Sequence, residues 1–246
     1  MNGYSFIVCP HDTVHGSESW FRFAQYLARK LEINIHFDLS MDFEEFHARL
    51  DSADIAYANP KDTFKLVEQR NFTLVARADE LYDELVFVAN TDIANPSIES
   101  LQDARIVTVK SMLPTNIALY MLRKQSITPT EFIDVESWLS VMRCVWQGEA
   151  NYGIVYKDTY EGFSEQSKGM VNAFLTSHEQ VAFHAMTISP ELEHRRSDFE
   201  QVLIAMDGDH LGQEILSQLN HIHKWTAITQ DEIALMEQVL HSYAAQ

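Results

Sequence analysis

The chain is poor in several things, and each scarcity removes a class of protein. Glycine and proline are sparse, eight and six among 246 residues, which excludes collagen-like, linker-rich and low-complexity organisation. Two cysteines, Cys9 and Cys144, cannot build a disulfide framework and are expected as two separate buried thiols. No apolar run approaches the roughly 18 residues that a membrane-spanning helix needs. The opening MNGYSFIVCP has no basic segment and no full apolar stretch, so it does not read as a signal peptide. That start suits either a cytoplasmic protein or a mature form whose leader was removed. Basic residues are scarce too: 18 against 36 acidic, a formal net charge of −18. Such a field repels nucleic acid and anionic lipid surfaces. It also opposes the long-range steering of an anionic ligand, so capture of one has to rest on local backbone dipoles.

What is present is globular material, with 46% hydrophobic and 22% charged residues. The pattern alternates strand and helix. Residues 5–9 form a short apolar run ending at Pro10, and a helical spacing of Trp20, Ala24, Leu27, Ala28 and Leu31 follows. Residues 33–39 alternate as a strand does, and residues 42–50 read as a helix. Residues 54–58 read as a strand, with Pro60 suited to the first turn of the next helix. Strands at 73–77 and 84–90 complete the first block. The second block repeats the alternation: strand 105–109, helix 115–124, strand 132–135, helix 137–147, strand 152–156. Segments 171–176 and 181–188 read as extended, and from Pro190 on the chain is largely helical.

This order predicts an α/β fold of two lobes, each a mixed, mostly parallel sheet flanked by helices. Lobe one is expected from residues 1–88 plus 188–246, with lobe two, residues 89–187, inserted into it. Ligands of open α/β sheets sit beyond the carboxyl ends of the strands, which puts the expected ligand in a cleft between the lobes. No internal repeat interrupts this scheme.

Three constellations could carry chemistry. Ser111-Met112-Leu113-Pro114-Thr115-Asn116 follows a strand and opens a helix. Hydroxyls beside free helix N–H groups are what an oxyanion needs, and Thr115 as a simple helix cap is the competing reading. Asp54-Ile55-Ala56-Tyr57-Ala58-Asn59-Pro60 puts Tyr57 and Asn59 at a strand's carboxyl end; a core tyrosine and a capping asparagine compete there. His11 and Asp12 follow the first strand, with His15 four residues after His11. His-x₃-His binds metal when it lies on a helix, but Gly16 and the polar run argue for a loop, and no resident metal or cofactor is expected. Nucleotide-binding glycine loops, a nucleophile elbow and a Cys-x-x-Cys pair are all lacking.

Taken in order, these phrases resemble the periplasmic phosphonate- and phosphate-binding protein family, part of the type 2 solute-binding fold. The likeness runs from about Phe6 to Tyr243. It is carried by Asp54-Ile55-Ala56-Tyr57-Ala58-Asn59-Pro60, by Gly148-Glu149-Ala150-Asn151-Tyr152-Gly153-Ile154-Val155, by Gly212-Gln213-Glu214-Ile215-Leu216 and by the stretch 225–231 before the last helix. The resemblance implies an aromatic contact from Tyr57, a second from Tyr82 and an anion grip at residues 111–115. Here Met112, Leu113 and Pro114 replace part of a hydroxyl-rich turn, and Pro114 has no N–H to donate. Glu136-Ser137 stands where the family has a histidine, and Tyr156 where it often has an acid or amide. Glu136 would repel a phosphate or receive a ligand amine.

The function implied is capture of a small oxyanionic or zwitterionic solute by lobe closure, for an ABC permease or a sensor protein. The site residues expected on that reading are His11, Asp12, Tyr57, Asn59, Tyr82, Ser111, Thr115, Asn116, Glu136, Ser137 and Tyr156. The alternatives are a cytoplasmic enzyme of cofactor biosynthesis on the same fold and a ligand-sensing regulatory subunit.

Overall fold

Two separate sheets organise the chain in a computed structural model, which describes residues 3–13, 16–219 and 221–243. The strands are β1 (Tyr4–Val8), β2 (Ile35–Asp38), β3 (Ile55–Ala58), β4 (Thr73–Ala78), β5 (Leu85–Ala89), β6 (Arg105–Thr108), β7 (Glu131–Asp134), β8 (Tyr152–Tyr156), β9 (Asn172–Thr176), β10 (Ala185–Ile188) and β11 (Trp225–Ala227). The helices are α1 (Pro10–Thr13), α2 (Ser17–Leu31), α3 (Phe43–Leu50), α4 (Pro60–Arg70), α5 (Leu113–Lys124), α6 (Trp138–Trp146), α7 (Lys157–Gly162), α8 (Glu165–Lys168), α9 (Arg196–Ile204), α10 (His210–Leu216) and α11 (Gln230–Leu240).

The first sheet has the order β11-β4-β10-β3-β1-β2 and the second β7-β6-β8-β5-β9. In the first, β1 runs parallel to β2 and β3, while β10 is antiparallel to β3 and β4. In the second, β6 runs parallel to β7 and β8, and β5 is antiparallel to β8 and β9. Each sheet is therefore mixed, with a parallel core fed by strand–helix–strand crossovers, as the alternation predicts.

Contacts divide the chain into two compact units. Unit 1 ends its first stretch at Leu81 and resumes over Phe183–Ile233; unit 2 comprises Tyr82–Ala182 and the chain from Ala234 on. The crossovers lie earlier than the expected 88 and 187, and the last helix is shared. The physical reasons are strand partners. β5 pairs with β8 and β9, so the chain has already changed unit before residue 85. β10 fills the slot between β3 and β4, so the return precedes residue 185. The end of α11 buries Val239 among the apolar side chains of unit 2. Asn116 Nδ2 donates to the Leu240 carbonyl oxygen at 2.9 Å. The expected extension over residues 181–188 shrinks to β10.

Local rules explain the elements of unit 1. α2 buries Trp20, Phe23, Ala24, Leu27 and Leu31, spaced three and four apart on one face. It ends at Glu32 in the left-handed region, φ 55°, with the Glu32 N–H returned to the Ala28 carbonyl. α4 starts with Asn59 accepting from the Asp62 N–H and with Pro60 in the first turn. Phe6, Trp20, Phe23, Tyr57 and Trp225 meet in the core. Each such ring removes on the order of 200 Å² from water, about 5 kcal/mol before the entropy of ordering it.

In unit 2, β8 and α6 approach closely at Gly153. A Cβ there would lie 2.8 Å from Val141 Cγ1, 2.9 Å from Val145 Cγ2 and 3.1 Å from Val88 Cγ2. Valines are stiff at χ1 and cannot swing aside. Gly153→Ala is expected to destabilise the protein by about 1–3 kcal/mol through overpacking. Urea unfolding followed by circular dichroism checks this; an unchanged midpoint would show that α6 slides freely on the sheet.

Candidate functional site

In unit 1 the polar side chains gather where β1 and β3 end and β10 begins. The Cys9 N–H donates to the Tyr57 carbonyl at 2.9 Å, extending the β1–β3 pairing by one residue. The chain then turns into α1, fixed by the Asp12 N–H on the Cys9 carbonyl at 2.9 Å and by Trp20 Nε1 on the Asp12 carbonyl at 3.1 Å. His184 precedes Ala185, which pairs with Ala58. This register brings the His184 Nδ1 to 2.8 Å from Asp12 Oδ2, with side-chain exposures of only 10% and 15%.

Cys9 lies beside this pair, and its Sγ receives Asn59 Nδ2 at 3.9 Å. The same amide donates to Asp62 Oδ2 at 2.6 Å, and His47 Nε2 lies 3.1 Å from Asp62 Oδ1. Burial first, then the Asp12 carboxylate, pushes the Cys9 thiol well above its ordinary range. A protonated buried thiol is a poor nucleophile.

The Tyr57 ring is 0% exposed and packs on Trp20, Trp225 and His184 at centroid distances of 5.1, 5.5 and 5.7 Å. His11 is exposed, its ring 6.1 Å from that of His184. Elsewhere in the same unit, Arg77 pairs with Glu232 through Nε at 2.8 Å and through its Nη2 at 2.7 Å.

In unit 2 the parallel strands β6, β7 and β8 deliver Ser111, Glu136 with Ser137, and Tyr156 to one sheet edge, since their carboxyl ends face the same way. Ser111, Glu136 and Ser137 are exposed. Ser137 caps α6 by accepting the Ser140 N–H at 3.2 Å. α5 differs: its N-cap residue is Met112, which makes no side-chain cap bond, and Pro114 sits in its first turn.

Tyr82, Asp83 and Glu84 precede β5 on the same edge, because Leu85 pairs with Tyr156. The Tyr156 hydroxyl donates to Asp83 Oδ1 at 2.7 Å and lies 3.2 Å from Asp158 Oδ2. Burial first, then the charges of Asp83 and Asp158, pushes the Tyr156 phenol far up. Glu84 is fixed by the Ser177 hydroxyl and by the Gln180 N–H at 2.9 Å.

A family model described as the phosphonate ABC transporter periplasmic substrate-binding protein matches residues 6–233. The chain belongs to this family. Its role is that of a solute-binding component of ABC transport. No curated protein sequence matches it.

Solved structures share its fold at low identity. PhnD1 of Prochlorococcus marinus, solved with methylphosphonate, is 14% identical with a TM-score of 0.69, covering 99% of this chain and 98% of that one. The aliphatic sulphonate binding protein SsuA of Escherichia coli is 13% identical with a TM-score of 0.67, covering 99% and 92%. XAC2383 of Xanthomonas citri, solved with chloride, is 12% identical with a TM-score of 0.73, covering 99% of each chain. These matches are to the type 2 binding fold that the family resemblance implies, built on the two α/β lobes that the strand–helix order predicts.

The structure sorts the expected residues by what they touch. Asp12, Asn59 and Tyr57 meet at one edge in unit 1, with His11 beside them. Tyr57 is a core aromatic there and Asn59 a helix cap, as the competing readings had it. In unit 2, Ser111, Glu136, Ser137, Tyr156 and Tyr82 share one edge. Thr115 and Asn116 do not reach solvent. Thr115 is the third residue of α5, not its cap, and is fully buried. Its hydroxyl lies 2.8 Å from the Thr108 hydroxyl and 2.9 Å from the Val109 carbonyl. The helix begins two residues early because Pro114 suits its first turn. Of the two thiols expected to be buried, Cys144 is only partly so.

His15 of the His11 spacing lies outside the described residues. His184, Asp83 and Asp158 are absent from the sequence reading. For His184 the one available signal was a lone ionisable residue inside the apolar run 181–188.

The Tyr156 phenol sets an alkaline prediction. Its folded value lies above the ordinary one near 10, so the folded chain keeps a proton that the unfolded chain releases. That contribution to stability is full below about pH 10 and is lost as pH rises beyond it. Tyr156→Phe is expected to cost about 1–3 kcal/mol at neutral pH, by removing a donor from buried Asp83. It should also lose stability more shallowly than the parent above about pH 10. Denaturant midpoints against pH check both; parallel curves for the two proteins would contradict the assignment.

Proposed function

We propose that the solute is a small oxyanion of the phosphonate or phosphate type that also carries an amine, handed on to an ABC permease. The observation that supports the oxyanion is the start of α5. Its cap residue makes no side-chain bond, Ser111 stands exposed just before it, and a helix start favours negative charge. In a chain of net charge −18, such local dipoles are the means of holding an anion against an opposing field.

Exposed Glu136 follows β7 on the same edge, and Asp158 lies just beyond β8. Two carboxylates beside an anion grip disfavour a plain dianion and favour a zwitterion, whose ammonium they receive. Binding without turnover is the reading we adopt, because the family whose model covers residues 6–233 is one of substrate-binding proteins.

Calorimetric titration with phosphate, methylphosphonate, an alkyl sulfonate and 2-aminoethylphosphonate tests this. The aminophosphonate is expected to bind tightest, and Glu136→Gln to narrow its lead over methylphosphonate by about tenfold, near 1.4 kcal/mol. Ser111→Ala should weaken every oxyanion alike. Heat with none of the four solutes would sink the oxyanion reading; turnover of any of them would sink the binding-only one.

A further inference from the structure

From the sequence alone, Gly16 and the polar run argue against a metal site at His11 and His15. The structure assembles a different set. Cys9 Sγ, one carboxylate oxygen of Asp12 and one ring nitrogen of His184 all lie within 4.8 Å of one another. They come from three positions that the sheet brings together: the end of β1, the α1 turn and the residue before β10. We infer that Cys9, Asp12 and His184 form a site for one thiophilic divalent cation of the zinc class.

The donor chemistry selects the ion. One sulfur, one imidazole nitrogen and one carboxylate oxygen suit zinc and cobalt and are wrong for calcium or magnesium, which take oxygen shells. Three protein ligands leave a fourth tetrahedral position for water or a solute oxygen. The Cys9 proton leaves to solvent as the sulfur–metal bond forms.

The surroundings are those of a supported site. Asn59 Nδ2 points at the sulfur from 3.9 Å and is itself held by Asp62, giving the Cys9 sulfur an outer partner. Trp20 Nε1 fixes the Asp12 backbone, and the Tyr57 ring lies against that of His184.

The fit has a measurable strain. At bond lengths of about 2.0 Å to nitrogen and oxygen, a tetrahedral metal sets those two atoms about 3.3 Å apart. His184 Nδ1 and Asp12 Oδ2 stand 2.8 Å apart. Metal entry therefore replaces their hydrogen bond and spreads the pair slightly, a movement side-chain rotation supplies.

The test uses the full chain, stripped with a chelator and then loaded with zinc or cobalt alone. One equivalent of zinc should survive desalting. Cobalt should give the visible bands of a tetrahedral site together with a near-ultraviolet sulfur-to-cobalt transition. His184→Gln and Asp12→Asn should each weaken zinc by more than the ~10–100-fold that outer partners carry. Cys9→Ser should abolish the sulfur transition. Exposed His223, changed to Gln, should leave the stoichiometry at one.

If Cys9→Ser fails to fold, judged by circular dichroism, the other two variants carry the result. Cobalt binding without a sulfur transition, no retained zinc, or parental affinity in His184→Gln would each overturn the site. The assay contains no oxyanion, so it stands or falls apart from the solute reading.

Discussion

The central strands of each sheet are covered on both faces, and nearly everything else follows from that. β3 is buried at all four residues and β5 at all five. A polar group on such a face would have to be paired inside apolar packing, at a cost of several kcal/mol if it were not. Exposed polar chemistry is therefore driven to the strand ends, where chain direction decides which residues meet. In unit 1 this gathers Cys9, Asp12, Asn59 and His184; in unit 2 it gathers Ser111, Glu136, Tyr82 and Tyr156. Two polar groups inside the packing are paired: Arg77 with Glu232, and Thr115 with Thr108.

Much of this was legible in the residues. The alternation of periods located nearly every strand to within a residue or two, because a covered sheet demands apolar runs and a covering helix demands a stripe. Asn59-Pro60 marked the start of α4 by capping and ring geometry, both local effects. What stayed hidden was pairing between distant segments. Nothing local tells β10 to lie between β3 and β4, so neither the return point of the chain nor the meeting of His184 with Asp12, 172 residues apart, could be read. Thr115 misled for a related reason. Threonine is a good cap, but Pro114 moved the helix start and left the hydroxyl facing β6.

Acidity gives the molecule a selective problem. With twice as many acids as bases, it cannot attract an anion from a distance, and its candidate edges carry carboxylates of their own. On the proposed reading, backbone dipoles at α5 would answer that locally in unit 2. A bound cation at Cys9, Asp12 and His184 would answer it in unit 1 with a full positive charge where lysine and arginine are lacking. The two devices would act in different units and by different physics, so either could operate without the other.

The placing of the tryptophans also gives each unit its own colour. Trp20 and Trp225 are sealed in the core of unit 1 around Tyr57, in contact with the ring that also touches His184. Trp138 and Trp146 belong to α6 of unit 2, and Trp146 is 53% exposed. From burial alone, emission from the first pair is expected to the blue and that from Trp146 to the red. A change beside His184 is thus written into the blue edge of the spectrum, and the protein reports on its two halves without a label.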